Sequence, residues 1–224
     1  MVLRSAQVVV LAGGASRRMG SPKALLPFTL EQRSAATSPW TFLDQILAVY
    51  RNAGIQRATV VWPHAARRDE RILAFLAHPK FISVKIQHIF HDDPLAGRLE
   101  SVLRGLTHSD KTASTFIQDT DRPFITGSVL VALIASAEEE GYTAPDVTGH
   151  AGHPILLSPH LASQMNKLRE TKNLTLRDVL EPHPASLVGV SAIERALLEI
   201  NINTPEDYEA YFPSSTKVKE LQEA

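Results

Sequence analysis

The apolar positions of the chain fall into two alternating rhythms. Val8-Val9-Val10-Leu11 is a continuous, mostly β-branched run stopped by Gly13-Gly14, the pattern of a strand buried on both faces and so of a central parallel strand. Short apolar runs predict further strands at Ala58–Trp62, Val84–Phe90 and Ser114–Gln118. Between them the period lengthens. Phe42, Leu43, Ile46, Leu47, Val49 and Tyr50 recur at helical spacing behind Ser38-Pro39, which reads as an N-cap and a first-turn proline, and Gly54 ends that helix. Arg68–Ala77 and Leu99–Leu106 give two more helices. Downstream the pattern predicts helices at Gly127–Glu140, Pro159–Leu168 and Thr204–Tyr211, with strands at Pro154–Ser158, Ser186–Val190 and Leu197–Ile202. Alternating strands and helices imply an α/β fold: a doubly wound, mostly parallel sheet with helices on both faces, binding its ligand outside the carboxyl ends of the strands. The expected organisation is one domain over residues 1–213, followed by a fraying tail at 214–224.

Composition narrows the chemistry. Lys plus Arg (23) nearly balance Asp plus Glu (24), so no global field draws the chain to nucleic acid or anionic lipid, and any phosphate must be held locally. The absence of cysteine excludes disulfides, thiol nucleophiles and cysteine-ligated metals, and suits a reducing compartment. The apolar run from Val8 to Ala12 is too short for a signal peptide, and no stretch approaches the roughly 20 apolar residues of a membrane span. A cytoplasmic location is expected.

Candidate chemistry begins at the loop after the first strand. Gly13-Gly14-Ala15-Ser16-Arg17-Arg18-Met19-Gly20-Ser21-Pro22-Lys23 joins glycines, whose amides approach oxygens closely, to three cations; this is the chemistry of a polyphosphate cradle. Neither the dinucleotide fingerprint nor the Walker A spacing fits. Asp119 and Asp121 follow Phe116-Ile117 and, two apart at a strand end, are expected to face one point, where a pair of carboxylates suits Mg²⁺. Asn201-Ile202-Asn203-Thr204-Pro205-Glu206-Asp207 reads as a strand end, a Thr N-cap and an N1 proline with Asp207 at the third helical position. Gly97 to Ser101 opens a helix after a strand, where amides and the helix dipole attract anions or base edges. His150 and His153, three apart, lack the nearby ligands of a zinc site. The seven other histidines read as surface or satisfied core residues.

The stretch L-A-G-G-x-S-x-R-M-G-x-x-K resembles the N-terminal signature of the molybdenum-cofactor nucleotidyltransferases, the molybdopterin guanylyl- and cytidylyltransferases and their relatives. That resemblance implies a Rossmann-like fold of the nucleotide-diphospho-sugar transferase kind. It further implies that Leu11, Ala12, Gly13 and Gly14 hold the nucleotide and that Arg18 and Lys23 contact its phosphates; the pattern leaves the position of Arg17 free. The family's metal-binding aspartate lies two residues before a proline, which selects Asp121, while Asp119 matches the Asp-x-x-Arg-Pro of the methylerythritol-phosphate cytidylyltransferases, which share the fold. Asn203, with Asn201 in reserve, matches the asparagine that completes the metal site. Gly152-His153-Pro154 matches the element beside the acceptor. Gly97 and Ser101 match the family's Gly-x-x-x-Ser at the nucleotide base, and Arg98-x-x-Ser101-Val102 matches the methylerythritol-phosphate enzymes equally well.

The function so implied is Mg²⁺-dependent transfer of NMP from GTP or CTP to a phosphorylated acceptor, with molybdopterin or its molybdenum form as leading acceptor and pyrophosphate as leaving group. Lys23, Arg18 and Asp121 are the expected catalytic residues, and the metal site comprises Asp121, Asn203 and Asp119. Methylerythritol phosphate or a sugar 1-phosphate are the alternatives within the class. A non-catalytic nucleotide-binding regulator or a dehydrogenase with a degenerate site are those outside it. No nucleic-acid or membrane partner is expected.

Overall fold

The computed structural model describes residues 5–13, 21–28, 40–77, 83–93, 96–168 and 174–213. Strand β1 (Ala6–Leu11) is flanked in parallel by β2 (Arg57–Trp62) and β4 (Ser114–Asp119), and β3 (Lys85–Phe90) extends the sheet beyond β2. Past β4 the sheet becomes mixed. There β7 (Ile155–Leu157) runs antiparallel between β4 and β5 (Tyr142–Val147), β6 (His150–Ala151) pairs antiparallel with β5, and β8 (Ala185–Val188) pairs with β5 in parallel. The order β3-β2-β1-β4-β7-β5 realises the mostly parallel, doubly wound sheet that the alternation predicts.

Side chains of β1 divide between two layers, as a period of two requires. Val8 and Val10 pack with Leu43, Ile46, Leu47 and Tyr50 of α1 (Phe42–Asn52) and with Leu130 and Leu133 of α4 (Gly127–Ala135). Val9 and Leu11 face the opposite layer. They meet Leu99, Val102 and Leu106 of α3 (Arg98–Thr107), with Leu161 and Met165 of α5 (Pro159–Met165) in the same cluster. The remaining helices are α2 (Glu70–Ala77), α6 (Leu176–Leu180), α7 (Ala192–Glu199) and α8 (Pro205–Tyr211). None of the described helices is long and apolar enough to cross a membrane.

A third, aromatic cluster does the long-range positioning. Leu26, Phe42, Ile202, Tyr208 and Phe212 are buried together, with Phe28 and Phe124 packed against them. The Tyr208 hydroxyl also donates to the carbonyl of Pro27 (2.8 Å). At roughly 1.5–3 kcal/mol for each large side chain taken out of water, this cluster is strong enough to tie the α8 end of the chain to the short 3₁₀ turn Lys23–Leu25.

Several elements depart from the sequence pattern. The cap of α1 is Thr41, in a reciprocal capping box with Asp44, while Ser38-Pro39 lies outside the described residues. The helix expected at Gly127–Glu140 stops at Ala135, because Glu138-Glu139-Glu140 would place three carboxylates at the negative end of the helix dipole, and the Thr143 hydroxyl instead takes up the Glu138 amide (2.8 Å). The segment expected as a strand at Leu197–Ile202 is the end of α7, whose start is a Ser191/Glu194 capping box, followed by an extended stretch.

Candidate active site

In the sheet register Leu11 lies beside Asp119, so the loop after β1 and the turn after β4 leave from the same edge. Strand order reverses between these two strands, with β2 and β3 on one side of β1 and β4 on the other. Doubly wound sheets take their ligands in the crevice at such a reversal. The turn is tightly built. Thr120 donates its hydroxyl to the carbonyl of Leu11 (3.2 Å). The buried Gln118 accepts from Tyr50 (3.1 Å) and donates its amide to the carbonyls of Asp119 (2.7 Å) and Arg122 (3.1 Å).

Because β4 ends at Asp119, the strand alternation does not extend to Asp121, and the two carboxylates take different cationic partners. Asp119 turns toward α3, where Arg98 grips both its oxygens (Nε to Oδ1 3.1 Å, Nη2 to Oδ2 2.8 Å). Burial disfavours its charge, but Arg98 more than offsets this and holds the carboxyl below its ordinary value. His153 completes this side, its Nδ1 3.7 Å from Asp119 Oδ2. Burial pushes the imidazole down to about 4, against the pull of Asp119. It is therefore neutral near pH 7 and suited to hydrogen bonding rather than to charge pairing. Gly152 permits its approach: the Gly152 amide donates to the carbonyl of Pro145 (2.8 Å), and a Cβ there would lie 2.5 Å from Val147 Cγ2.

Asp121 meets Lys23 and the segment before α8. Its carbonyl accepts from the Ile202 amide (2.9 Å), which fixes residues 201–203 beside it. Lys23, carried by the 3₁₀ turn, lies between the two segments. Its ammonium donates to Asn203 Oδ1 (2.6 Å) and sits 3.8 Å from Asp121 Oδ2. Asn203 is in turn anchored through its amide to Asp207 (2.8 Å), which also closes the capping box on Thr204. The carboxyl of Asp121 is pushed above its ordinary value by burial and then by the charge of Asp119, and Lys23 only partly opposes this. A carboxylate so placed gains from further positive charge.

Among the described residues no three His, Cys, Asp or Glu converge as a ready-made metal cluster. The oxygens of Asp121 and Asn203 do converge on one cationic group, the Lys23 ammonium. A carboxylate and an amide oxygen fit a hard divalent cation that draws its remaining ligands from water and phosphate. Asp119, with both oxygens on Arg98, is less available to it.

The structure thus gathers Leu11, Ala12, Gly13, Lys23, Asp119, Asp121 and Asn203 at one end of the sheet. It brings Gly152, His153 and Pro154 to the Asp119 side. Ser101 also belongs to this edge, since a Cβ on Gly13 would lie 3.8 Å from its Oγ. Gly97 caps α3 and accepts the Ser101 hydroxyl at its carbonyl (3.0 Å). Gly14 and Arg18 lie outside the described residues, as does Arg17. Two participants had weak sequence signals. Arg98 shows only as part of Arg-x-x-Ser, and nothing in its spacing marks His91, which is buried with Nε2 2.9 Å from Ser101 Oγ.

The family model described as the MobA-like NTP transferase domain matches residues 8–187. A probable molybdenum cofactor guanylyltransferase of Bacillus cytotoxicus is 24% identical over 210 residues, covering 92% of this chain and 96% of the relative. Among solved structures, a homologue of Mycobacterium tuberculosis Rv0371c from Mycobacterium sp. strain JC1 is 26% identical, with a TM-score of 0.69 over 98% of this chain and 100% of that one. The Rv0371c protein itself, in complex with manganese, shares the fold at 19% identity and a TM-score of 0.64, over 95% of this chain and 100% of that one.

Proposed function

The chain belongs to the MobA-like NTP transferase family, the premise from which we propose that it moves a nucleoside monophosphate, GMP before CMP, from the triphosphate to the phosphate of a molybdopterin-type acceptor. The observation that carries this reading is the convergence of Lys23, Asp121 and Asn203 at the strand reversal beside Gly13. The name of the guanylyltransferase relative favours GTP.

The reaction is in-line attack by an acceptor phosphate oxygen on the α-phosphorus, with pyrophosphate leaving and no covalent enzyme intermediate. Gly13 and its neighbours hold the nucleotide, and Lys23, joined by Arg18, counters the charge of the polyphosphate. Asp121 and Asn203 would hold Mg²⁺ or Mn²⁺, which supplies charge neutralisation to the reacting phosphates. On the other side, neutral His153 and Arg98 face the acceptor, while Arg98 and Asp119 fix one another. Arg122 donates to the carbonyl of Leu198 (2.7 Å) and so braces the turn that carries Asp121.

The Arg98–Asp119 pair also supports methylerythritol phosphate as a second acceptor reading, since both residues match that class's pattern. A pyrophosphate-release assay decides, run with all four nucleoside triphosphates against molybdopterin, methylerythritol phosphate and sugar 1-phosphates. Turnover with GTP and molybdopterin alone is the expected result. Turnover with CTP and methylerythritol phosphate would replace it, and no release with any pair would end the nucleotidyltransferase reading for this chain.

A further inference from the structure

The buried polar contact beneath α3 has a direction that its atoms fix. Ser101 is 4% exposed and His91 6%. The Ser101 Oγ lies 3.0 Å from the carbonyl of Gly97 and 2.9 Å from His91 Nε2. A carbonyl only accepts, so the single hydroxyl proton of Ser101 goes to Gly97, and Ser101 must accept from the imidazole. His91 is therefore the Nε2–H tautomer. Burial, and then the Arg104 guanidinium, push its pKa below the ordinary histidine value, which keeps it neutral with one N–H to give. Its backbone is held as well: the amide donates to the carbonyl of Trp62 (2.9 Å), and the carbonyl is approached by His64 Nδ1 (3.2 Å) and Arg67 Nε (3.4 Å). Arg67 and Arg104 both pair with the neighbouring Asp92.

With its proton committed to Gly97 and one lone pair to His91, Ser101 keeps one lone pair. Gly13, which has no side chain, is its neighbour: a Cβ there would be in ordinary van der Waals contact with Ser101 Oγ (3.8 Å) and with the Pro63 nitrogen (3.7 Å). We propose that His91 is a positioning residue of the nucleotide site, which locks the Ser101 hydroxyl as a hydrogen-bond acceptor beside Gly13 and so selects a nucleoside that offers it an N–H donor from the base edge. The inference rests on the proposed triphosphate site. It adds a residue that never touches the ligand but sets the polarity of one that does.

The test compares binding of Mg²⁺-GTP with binding of Mg²⁺-tripolyphosphate, which carries the phosphates without a nucleoside. In His91→Leu, Ser101 loses its donor and its hydroxyl is free to turn, so the Kd for GTP should rise about tenfold, the scale of one hydrogen bond, while that for tripolyphosphate stays within about threefold. His91→Gln, which can return an N–H to the same place, should bind GTP within about threefold of the wild type. His91→Asn is too short to reach Ser101 and repeats the test should the apolar variant fail to fold. In a double-mutant cycle, adding His91→Leu to Ser101→Ala should cost nothing further, since the two act as one unit. Unchanged GTP affinity in both His91→Leu and His91→Asn would overturn the proposal. So would an equal loss of GTP and tripolyphosphate, because a merely structural role moves both. A wild-type protein that binds no nucleoside triphosphate would overturn the underlying reading along with it, a result distinct from either.

Discussion

Asp121 and Asp119 lie two residues apart, yet replacing them should have opposite consequences for stability and for turnover. The Asp121 carboxyl is pushed above its ordinary value by burial and by Asp119. Because its folded value lies above the unfolded one, the carboxyl costs the fold stability at any pH above the ordinary carboxylate range, pH 7 included, and removal relieves that cost. The attraction of Lys23 at 3.8 Å is already part of that balance and offsets the shift only in part. The net effect of Asp121→Ala on folding is within about 1 kcal/mol, a Tm change of no more than about 4 °C at this chain length. Asp119→Ala instead strands the Arg98 guanidinium. That pair consists of charged hydrogen bonds worth about 1.5–3 kcal/mol, but Arg98 is 42% exposed, so a loss of about 1–2 kcal/mol is expected. Turnover should follow the reverse order: Asp121→Ala loses at least ~10²–10³-fold, the cost of one preorganised electrostatic group, and Asp119→Ala loses less. Thermal unfolding and pyrophosphate release on the same preparations measure both, with Mg²⁺ titration separating lost metal affinity from misfolding. Near-normal activity of Asp121→Ala at limiting Mg²⁺ beside an inactive Asp119→Ala would refute the reasoning.

Other parts of the structure give independent tests. Lys23→Met should reduce turnover by about 10²–10³-fold and raise the KM for the triphosphate; steady-state kinetics with an unchanged KM would show that the ammonium does not bind the triphosphate. Gly105→Ala would drive a methyl onto the side chain of Val9 and to 3.2 Å from Val61 Cγ2, so overpacking of about 1–3 kcal/mol should outweigh a helix-propensity gain of about 1 kcal/mol. Its Tm should fall, and a raised Tm would contradict the close packing of α3 on the sheet. His88 accepts from Trp62 Nε1 at its Nδ1 (3.1 Å), and burial holds its pKa at about 4. Because the folded value lies below the unfolded one, the neutral ring contributes stability that is complete above about pH 6.5 and lost as pH falls toward 4, on the order of 2–3 kcal/mol. Urea unfolding at pH 7 and 4.5 should show a smaller acid loss in His88→Gln than in the wild type, and equal losses would exclude His88 as the source.

The parts of the fold legible in the sequence are those where local pattern and tertiary environment agree. Val8–Leu11 reads as a central strand because both its faces are buried, and Thr204-Pro205-Glu206-Asp207 reads as a helix start because its capping box is local. Strand β5 is not visible in the sequence because Pro145 interrupts it. The proline is tolerated since β7 pairing ends at Thr143 and β6 pairing begins only at Asp146. Helix α7 was hidden by Leu197, Leu198 and Ile200, whose apolar run outweighed the capping signal of Ser191 and Glu194. The candidate site shows the same division. Gly13, Lys23, Asp121, Asn203 and His153 stand in motifs whose spacing can be read. The separate partners of Asp119 and Asp121, the hold of Arg98 on Asp119 and the contact of His91 with Ser101 arise from packing between different elements, which no local pattern records.

Which phosphorus is attacked defines the reaction. GTP labelled separately at the α and γ phosphates, incubated with Mg²⁺, molybdopterin and the enzyme, distinguishes nucleotidyl transfer from phosphoryl transfer or hydrolysis in one experiment. Nucleotidyl transfer puts the α label in the acceptor product and the γ label in pyrophosphate, with both lost in Asp121→Ala. The γ label in the acceptor or in free phosphate, with GDP as the other product, would contradict it.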